Sequence, residues 1–151
     1  MNGYYYIIKT IKDYLKNTGL INTVTTGDIF DVDLAKQTIF PLTHIITNNA
    51  TLTDTLITLN ISILFMDIVD ESKSETVDVF EGNDNELDVL NTQLTIANRF
   101  VTDMLRGSLV DINFEAVGTI NAEPFVDRFE NKIAGWTLTF DAIIPNDMTI
   151  C

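Results

Sequence analysis

Residues 55–70, TLITLNISILFMDIVD, form the longest β-like segment of this 151-residue chain. In the first half, Ile57, Leu59 and Ile61 alternate with polar residues, which predicts a strand with one buried face and one wet face. From Ile63 to Val69 nearly every side chain is apolar, so both faces need cover. Two sources of that cover are open: a helix of the same chain, or a neighbouring subunit.

Two amphipathic helices are predicted on either side of this strand region. Apolar residues from Tyr4 to Leu15 recur at steps of three and four, which predicts a helix over about residues 3–18 that ends at Gly19. A second helix is predicted over about residues 84–106, with Asn83 and Glu86 as a capping pair. Its apolar face consists of Leu87, Leu90, Leu94, Ala97, Val101, Met104 and Leu105.

Alternating apolar residues predict three further strands. One runs from Phe40 to Thr47 and ends in a turn at Asn48-Asn49-Ala50, another runs over residues 110–116, and the last over residues 135–142. Pro124 is assigned to a connection between the last two. This order predicts one α+β domain over residues 1–151, a mainly antiparallel sheet with both helices packed on one face.

The composition and charge exclude several classes of protein. The chain is 46% hydrophobic and 21% charged, which is typical of a globular domain. It has no apolar run of the roughly 18 to 20 residues that cross a bilayer, and no signal-peptide pattern, so we expect synthesis in a cytoplasm and no membrane association. The formal net charge of −13 argues against wrapping nucleic acid through phosphate neutralisation.

The sequence offers little for catalysis. His44 is the only histidine, and its position on a strand predicts a core or interface residue with a hydrogen-bonded ring. Cys151 is the only cysteine, which excludes an intramolecular disulfide. No serine lies in a nucleophile elbow, and the glycines form no phosphate-binding loop. We therefore expect no enzymatic activity and no cofactor, and we expect Trp136 and Phe140 to belong to the core.

Pairs of carboxylates are the remaining candidates for metal chemistry. Asp31 and Asp33 lie two residues apart, as do Asp84, Glu86 and Asp88. The second group lacks the spacing and central glycine of a calcium-binding hand loop. We expect both groups to be solvated surface and expect no metal site, with weak calcium or magnesium binding and a metal-dependent hydrolase as the alternatives.

The most acidic part of the chain lies between the long strand and the second helix. Residues 67–88 contain nine carboxylates against one lysine. This composition predicts a mobile, solvated excursion at about residues 70–84. Such a segment is a candidate for docking partner proteins through Asp70, Glu71, Glu75, Asp78 and Glu81.

Taken together, four features resemble the small structural proteins of tailed phages, in the tail-terminator and head-to-tail joining group. The long strand beside an acidic loop and a second helix is one of them, and the amphipathic first helix ending in Asn17-Thr18-Gly19 is another. The others are short motifs: VTTGDI at residues 24–29 leading to FPLTHI at 40–45, and GWTLTFD at 135–141.

This resemblance implies a virion protein of the neck or tail end that closes into a ring, as a hexamer or dodecamer, around a channel through which DNA passes as cargo. Its partners are then copies of itself and the adjacent neck, portal or tail proteins. The predicted oligomer interface is the apolar part of the long strand: Ile63, Phe65, Met66 and Ile68. An alternative interpretation is an acidic cytoplasmic binding module, such as a DNA-mimicking inhibitor.

Overall fold

The computed structural model describes residues 4–27, 39–69, 86–106, 115–128 and 132–146. In chain order the elements are α1 (Tyr4–Asn17), β1 (Thr23–Thr26), β2 (Leu42–Leu52), β3 (Leu56–Ile68), α2 (Glu86–Arg106), β4 (Glu115–Arg128) and β5 (Lys132–Pro145). The strands form one sheet in the order β1-β2-β3-β5-β4, in which only the β1–β2 pair is parallel. The predicted α+β fold with a mainly antiparallel sheet is confirmed.

Both helices pack on the same face of the sheet. The central strand β3 directs Ile61, Ile63 and Phe65 to this face, and all three are 0% exposed. Side chains of both helices join them in one core cluster, which confirms the predicted one-sided packing. The helix residues in this cluster are Ile7, Ile11, Leu15, Ile96, Ala97, Phe100 and Met104.

The opposite face of β3 is covered near its end by other parts of the same chain. Leu42, Met66 and Ile133 form a second apolar cluster with Phe40, and the side chain of Phe125 packs against it. Leu64 and Ile68 contribute as partly buried members. The apolar run from Ile63 to Val69 therefore has cover on both faces: the helices on one side and this second cluster on the other.

Glycines occupy two positions that would not accept a side chain. Gly19 follows α1 with a φ of 74°, the left-handed conformation expected from the sequence. Gly135 lies inside β5, where a Cβ atom would sit 1.9 Å from the carbonyl oxygen of Phe65. The last strand begins at Lys132 and runs through Gly135. The sequence predicts a later start, at Gly135 itself.

The predicted turn at Asn48-Asn49-Ala50 is wrong, because β2 continues through it to Leu52. A bulge between Thr47 and Asn49 shifts the register. The Asn48 side-chain amide donates to Asn60 Oδ1 and to Ser62 Oγ, each at 2.8 Å, so its polar group is satisfied across the sheet. Polar pairing between strands replaces the expected reversal of the chain.

The assignment of Pro124 to a connection is also wrong, because it lies within β4. A proline lacks the N–H that a central strand needs, but within the described sheet β4 pairs only with β5. The predicted strand over residues 110–116 meets β4 only at Glu115 and Ala116, and the rest of it lies outside the described residues. The four-residue strand β1 was not predicted.

An aromatic and hydrogen-bonded contact joins the two helices above the sheet. The Tyr14 hydroxyl of α1 donates to the Asp103 carboxylate of α2. Its ring lies 5.7 Å from that of Phe100, which in turn lies 6.0 Å from the ring of Phe140 on β5. Burial, and next the hydrogen bond to Asp103, raise the pKa of Tyr14 to about 12.

Among the residues that the structure describes, two buried polar side chains have no hydrogen-bond partner. Gln93, on the inner face of α2, is 0% exposed, and neither its amide nitrogen nor its amide oxygen is paired. Thr43 of β2 is also 0% exposed, and its hydroxyl is likewise unpaired. An unpaired buried polar group costs about 1–3 kcal/mol of stability.

The substitution Gln93→Met should therefore stabilise the chain. Methionine has a similar shape without the amide, so we expect the free energy of unfolding to rise by about 1–3 kcal/mol in urea titrations. Thr43→Val tests the same cause at a separate position and should shift stability in the same direction. A loss of stability in both variants would show that these groups are paired in solution.

Ionisation of Tyr14 should destabilise the fold at high pH. Since the pKa of Tyr14 rises from its ordinary 10 to about 12 on folding, its contribution is complete below pH 10 and is lost as the pH rises through 12. The midpoint temperature of thermal unfolding should therefore fall more steeply between about pH 10 and 12 for the native chain than for Tyr14→Phe. Parallel curves for the two proteins would contradict this coupling.

Candidate subunit-docking site

His44 is fully buried and its ring is used structurally. It lies on β2 with Nε2 2.7 Å from the Gly27 carbonyl oxygen and Nδ1 2.6 Å from Thr25 Oγ1. Because a carbonyl oxygen only accepts, Nε2 carries the proton of this hydrogen bond. The prediction of a core histidine with a hydrogen-bonded ring is confirmed, and the ring fastens the short strand β1 to the sheet.

The carboxylates do not gather into a metal site in the described part of the chain. No group of three or more His, Cys, Asp or Glu side chains converges among those residues. Glu86 and Asp88 lie in the first turn of α2, where Glu86 contacts Lys132 at 3.3 Å. Burial raises the pKa of Asp67, whose carboxylate accepts the Ile68 N–H at 2.8 Å. Asp31, Asp33 and Asp84 lie outside the described residues.

The structure corrects the predicted oligomer interface. Ile63 and Phe65 are 0% exposed and Met66 is 2% exposed within the single chain, so these side chains offer no surface to a second copy. Only Ile68, which is partly buried, keeps some exposure. The physical reason is that the helices cover one face of this segment and the second apolar cluster covers the other.

The remaining predicted residues are either outside the described part of the chain or packed within the fold. The acidic segment with Asp70, Glu71, Glu75, Asp78 and Glu81 lies outside the described residues, as does Cys151. Phe140 is 1% exposed in the core, as predicted. Trp136 is partly buried, and its indole N–H donates to the Leu90 carbonyl of α2 at 2.8 Å.

A groove between α1 and the strands β1 and β2 has the character of a docking site. Its volume is about 580 Å³. Lys9, Lys12 and Lys16 of α1 line it, which is three of the nine basic residues in a chain of net charge −13. The aromatic residues at its other end, Tyr4 and Tyr5, are 43% and 70% exposed. We call this feature the basic groove.

The positive charge of the basic groove is only partly paired among the residues that the structure describes. Lys9 forms an ion pair of 2.7 Å with Asp13, and this contact raises the pKa of Lys9 and lowers that of Asp13. Within the described part of the chain, no ion pair holds Lys12 or Lys16. Exposed tyrosines are common at protein interfaces, because the rings bury apolar area and the hydroxyls stay hydrogen-bonded. Here the Tyr4 hydroxyl lies 2.8 Å from Thr47 Oγ1.

The far side of the sheet carries the opposite charge. Glu115 and Glu123 of β4 are both exposed. Their register with Ile143 and Thr137 of β5 places them on the face away from the helices. Because β1 and β4 are at opposite ends of the described sheet, the basic groove and these carboxylates lie about four strand spacings, roughly 19 Å, apart. We call these two carboxylates the acidic edge.

Sequence reasoning missed both features of this candidate site. The lysines of α1 read as the polar side of an amphipathic helix, and nothing in the chain indicates that β1 closes a groove beneath them. The signal that existed was the spacing of Lys9, Lys12 and Lys16, which places them along one side of the helix.

Comparison with known proteins provides no relative: no family model matches the chain, and no curated protein is significantly similar to it. Neither of the two described helices is long and apolar enough to span a membrane.

Replacing His44 should loosen the attachment of β1 to the sheet. His44→Leu leaves the Thr25 hydroxyl and the Gly27 carbonyl without partners, so we expect a loss of about 2–4 kcal/mol in unfolding free energy. Thr25→Val removes only one of these hydrogen bonds and should cost about 1 kcal/mol. Faster amide exchange at Thr25 and Gly27 should accompany the loss in His44→Leu. Unchanged stability in this variant would contradict the structural role.

Proposed function

We propose that this chain is a structural subunit of a phage particle that closes with copies of itself into a ring at the neck or tail end. Two lines support the proposal: the resemblance to tail-terminator and head-to-tail joining proteins, and the unlike surfaces at the two ends of the sheet. The proposed role is non-enzymatic, and the proposed location is the virion.

The single observation that carries this proposal is the separation of charge between the basic groove and the acidic edge. A ring needs a heterologous contact, in which one surface of a subunit meets a different surface of the next. The basic groove offers the cationic half of such a contact, with Lys12 and Lys16. The acidic edge offers the anionic half, with Glu115 and Glu123. The β4 strand of one copy would lie along the basic groove of its neighbour.

The sheet face away from the helices suits a channel through which DNA slides. The hydroxyls of Ser62 and Thr139 pair across its centre at 3.0 Å, and the Asn60 amide donates to the Asp141 carboxylate at 2.9 Å. Among the strand residues whose side chains the structure describes, no lysine or arginine belongs to this face by register. A surface without cations forms no ion pairs with phosphates, so passing DNA would not be held.

The neighbouring rings of the particle are the remaining proposed partners. The acidic segment at residues 70–84 stays a predicted docking element for adjacent neck, portal or tail proteins. Its carboxylates would pair with basic surfaces of those proteins, and such contacts set the rate and specificity of association more than its strength.

Charge reversal tests the proposed ring contact. Lys12→Glu with Lys16→Glu makes the groove acidic, and Glu115→Lys with Glu123→Lys makes the edge basic. Each pair sets like charges against each other in a homogeneous preparation, so we expect about a tenfold or greater rise in the concentration needed for assembly. Sedimentation velocity and negative-stain images of the native chain and both variants measure it.

Mixing the two reversed proteins provides the decisive control. Each groove then meets an edge of opposite charge, so rings of alternating subunits should form. A chain carrying all four substitutions keeps the net charge of −13 and should also assemble by itself. A native chain that stays monomeric at high concentration, or assembly that ignores these substitutions, would overturn the proposal. Tight DNA binding through the lysines would do so as well.

A further inference from the structure

The outer side of α2 carries a second apolar stripe that the core does not use. Leu87, Leu94 and Leu105 are 80%, 38% and 48% exposed, which is unusual for three leucines of one helix. Because successive residues turn by about 100°, spacings of 7 and 11 place these three side chains within about 20° of one another. The three leucines therefore lie along one line on the surface of the helix.

The residues between these leucines complete a heptad pattern. Asn91 and Asn98 are exposed, whereas Val101 is partly buried and also packs against the main core cluster. These three residues fill the intervening positions at alternating steps of four and three. This is the spacing of a helix seam that packs against another helix. No charged residue belongs to the stripe. We call it the outer seam, formed by Leu87, Asn91, Leu94, Asn98, Val101 and Leu105.

We propose that the outer seam binds the outer seam of a second copy of this chain, with the two α2 helices antiparallel about a twofold axis. The positions of the seam are symmetric about residue 96, so reversing the helix superimposes the pattern on itself. Leu87 of one copy then meets Leu105 of the other, and Leu94 meets Asn98. A self-complementary pattern of this kind suits an isologous contact, in which both partners use the same surface.

The charges at the two ends of α2 select the antiparallel arrangement. The first turn contains Glu86 and Asp88, and the last turn contains Arg106. In an antiparallel pair each acidic turn lies beside the partner's arginine, and the two helix dipoles oppose each other favourably. A parallel pair would bring acidic turns together in two chains that each carry a net charge of −13. The charges at its two ends therefore make α2 complementary to a second copy in the reversed direction.

This contact is distinct from the proposed ring contact and does not rest on it. An isologous contact closes after two subunits and cannot by itself generate a ring. Combined with a heterologous contact it would join two rings, which doubles the number of copies. The outer seam and the basic groove lie on different helices, so each contact can be removed separately.

Cysteine cross-linking tests both the contact and its direction. In a Cys151→Ser background, Leu87→Cys and Leu105→Cys are prepared as separate proteins, mixed under reducing conditions and then oxidised. In an antiparallel pair, each cysteine lies about 27 Å along the axis from its own equivalent and close to the other position. We therefore expect cross-linked dimer from the mixture and little from either protein alone. Self-cross-linking of each protein would show a parallel pair, and no cross-linking would show that the seam is unoccupied.

A charge placed on the seam measures the strength of the pairing. Asn98→Glu brings two carboxylates together near the twofold axis, so the dissociation constant of the dimer should rise about tenfold or more in sedimentation equilibrium. Thr92→Glu adds the same charge on the same helix, outside the seam, and should leave the dimer unchanged. Equal effects of the two substitutions would overturn the proposal. The groove and edge variants should leave this dimer intact.

Discussion

The fold depends on one central strand whose inner face is buried along most of its length and whose other face is covered near its end. β3 is paired on both sides, with β2 and with β5, and its Ile61, Ile63 and Phe65 are fully enclosed beneath the helices. Its other face is closed near the end by Met66 packing with Leu42 and Ile133. Buried apolar area of this kind is the main favourable term in folding. The positions of β1 and β4, and hence of the two charged surfaces, follow from their registers outward from this strand.

Sequence patterns predicted the elements whose side chains repeat over a long distance. The two helices and β3 were placed to within about two residues, because apolar periodicity of 3.6 or 2 is strong over a dozen or more positions. Local polar residues misled the prediction where contacts between strands decide the conformation. Asn48 reads as a turn residue, yet its amide pairs with Asn60 and Ser62 of β3. Pro124 reads as a strand breaker, yet β4 has one neighbour among the described strands and tolerates it.

The candidate site was less predictable than the fold, because it consists of surfaces from separate elements. The apolar segment from Ile63 to Val69 looked like a surplus that a neighbour must cover, but Phe40 and Phe125, distant in sequence, supply that cover. The lysines of α1 line a groove only because β1 lies beneath them, and the buried His44 ring holds β1 in that position. A histidine that sequence reasoning sets aside as structural thus maintains one wall of the proposed docking site.

The overall charge restricts how the proposed docking between copies can occur. Two chains of net charge −13 repel each other at long range, although salt at physiological strength limits this repulsion to about 8 Å. Encounters between two acidic surfaces are therefore disfavoured. The favoured contacts are those that bring opposite charges together at short range and those between uncharged surfaces. The basic groove with the acidic edge meets the first condition, and the uncharged outer seam meets the second. An acidic surface interrupted at these two places limits association to the proposed orientations, which a closed assembly of identical subunits requires.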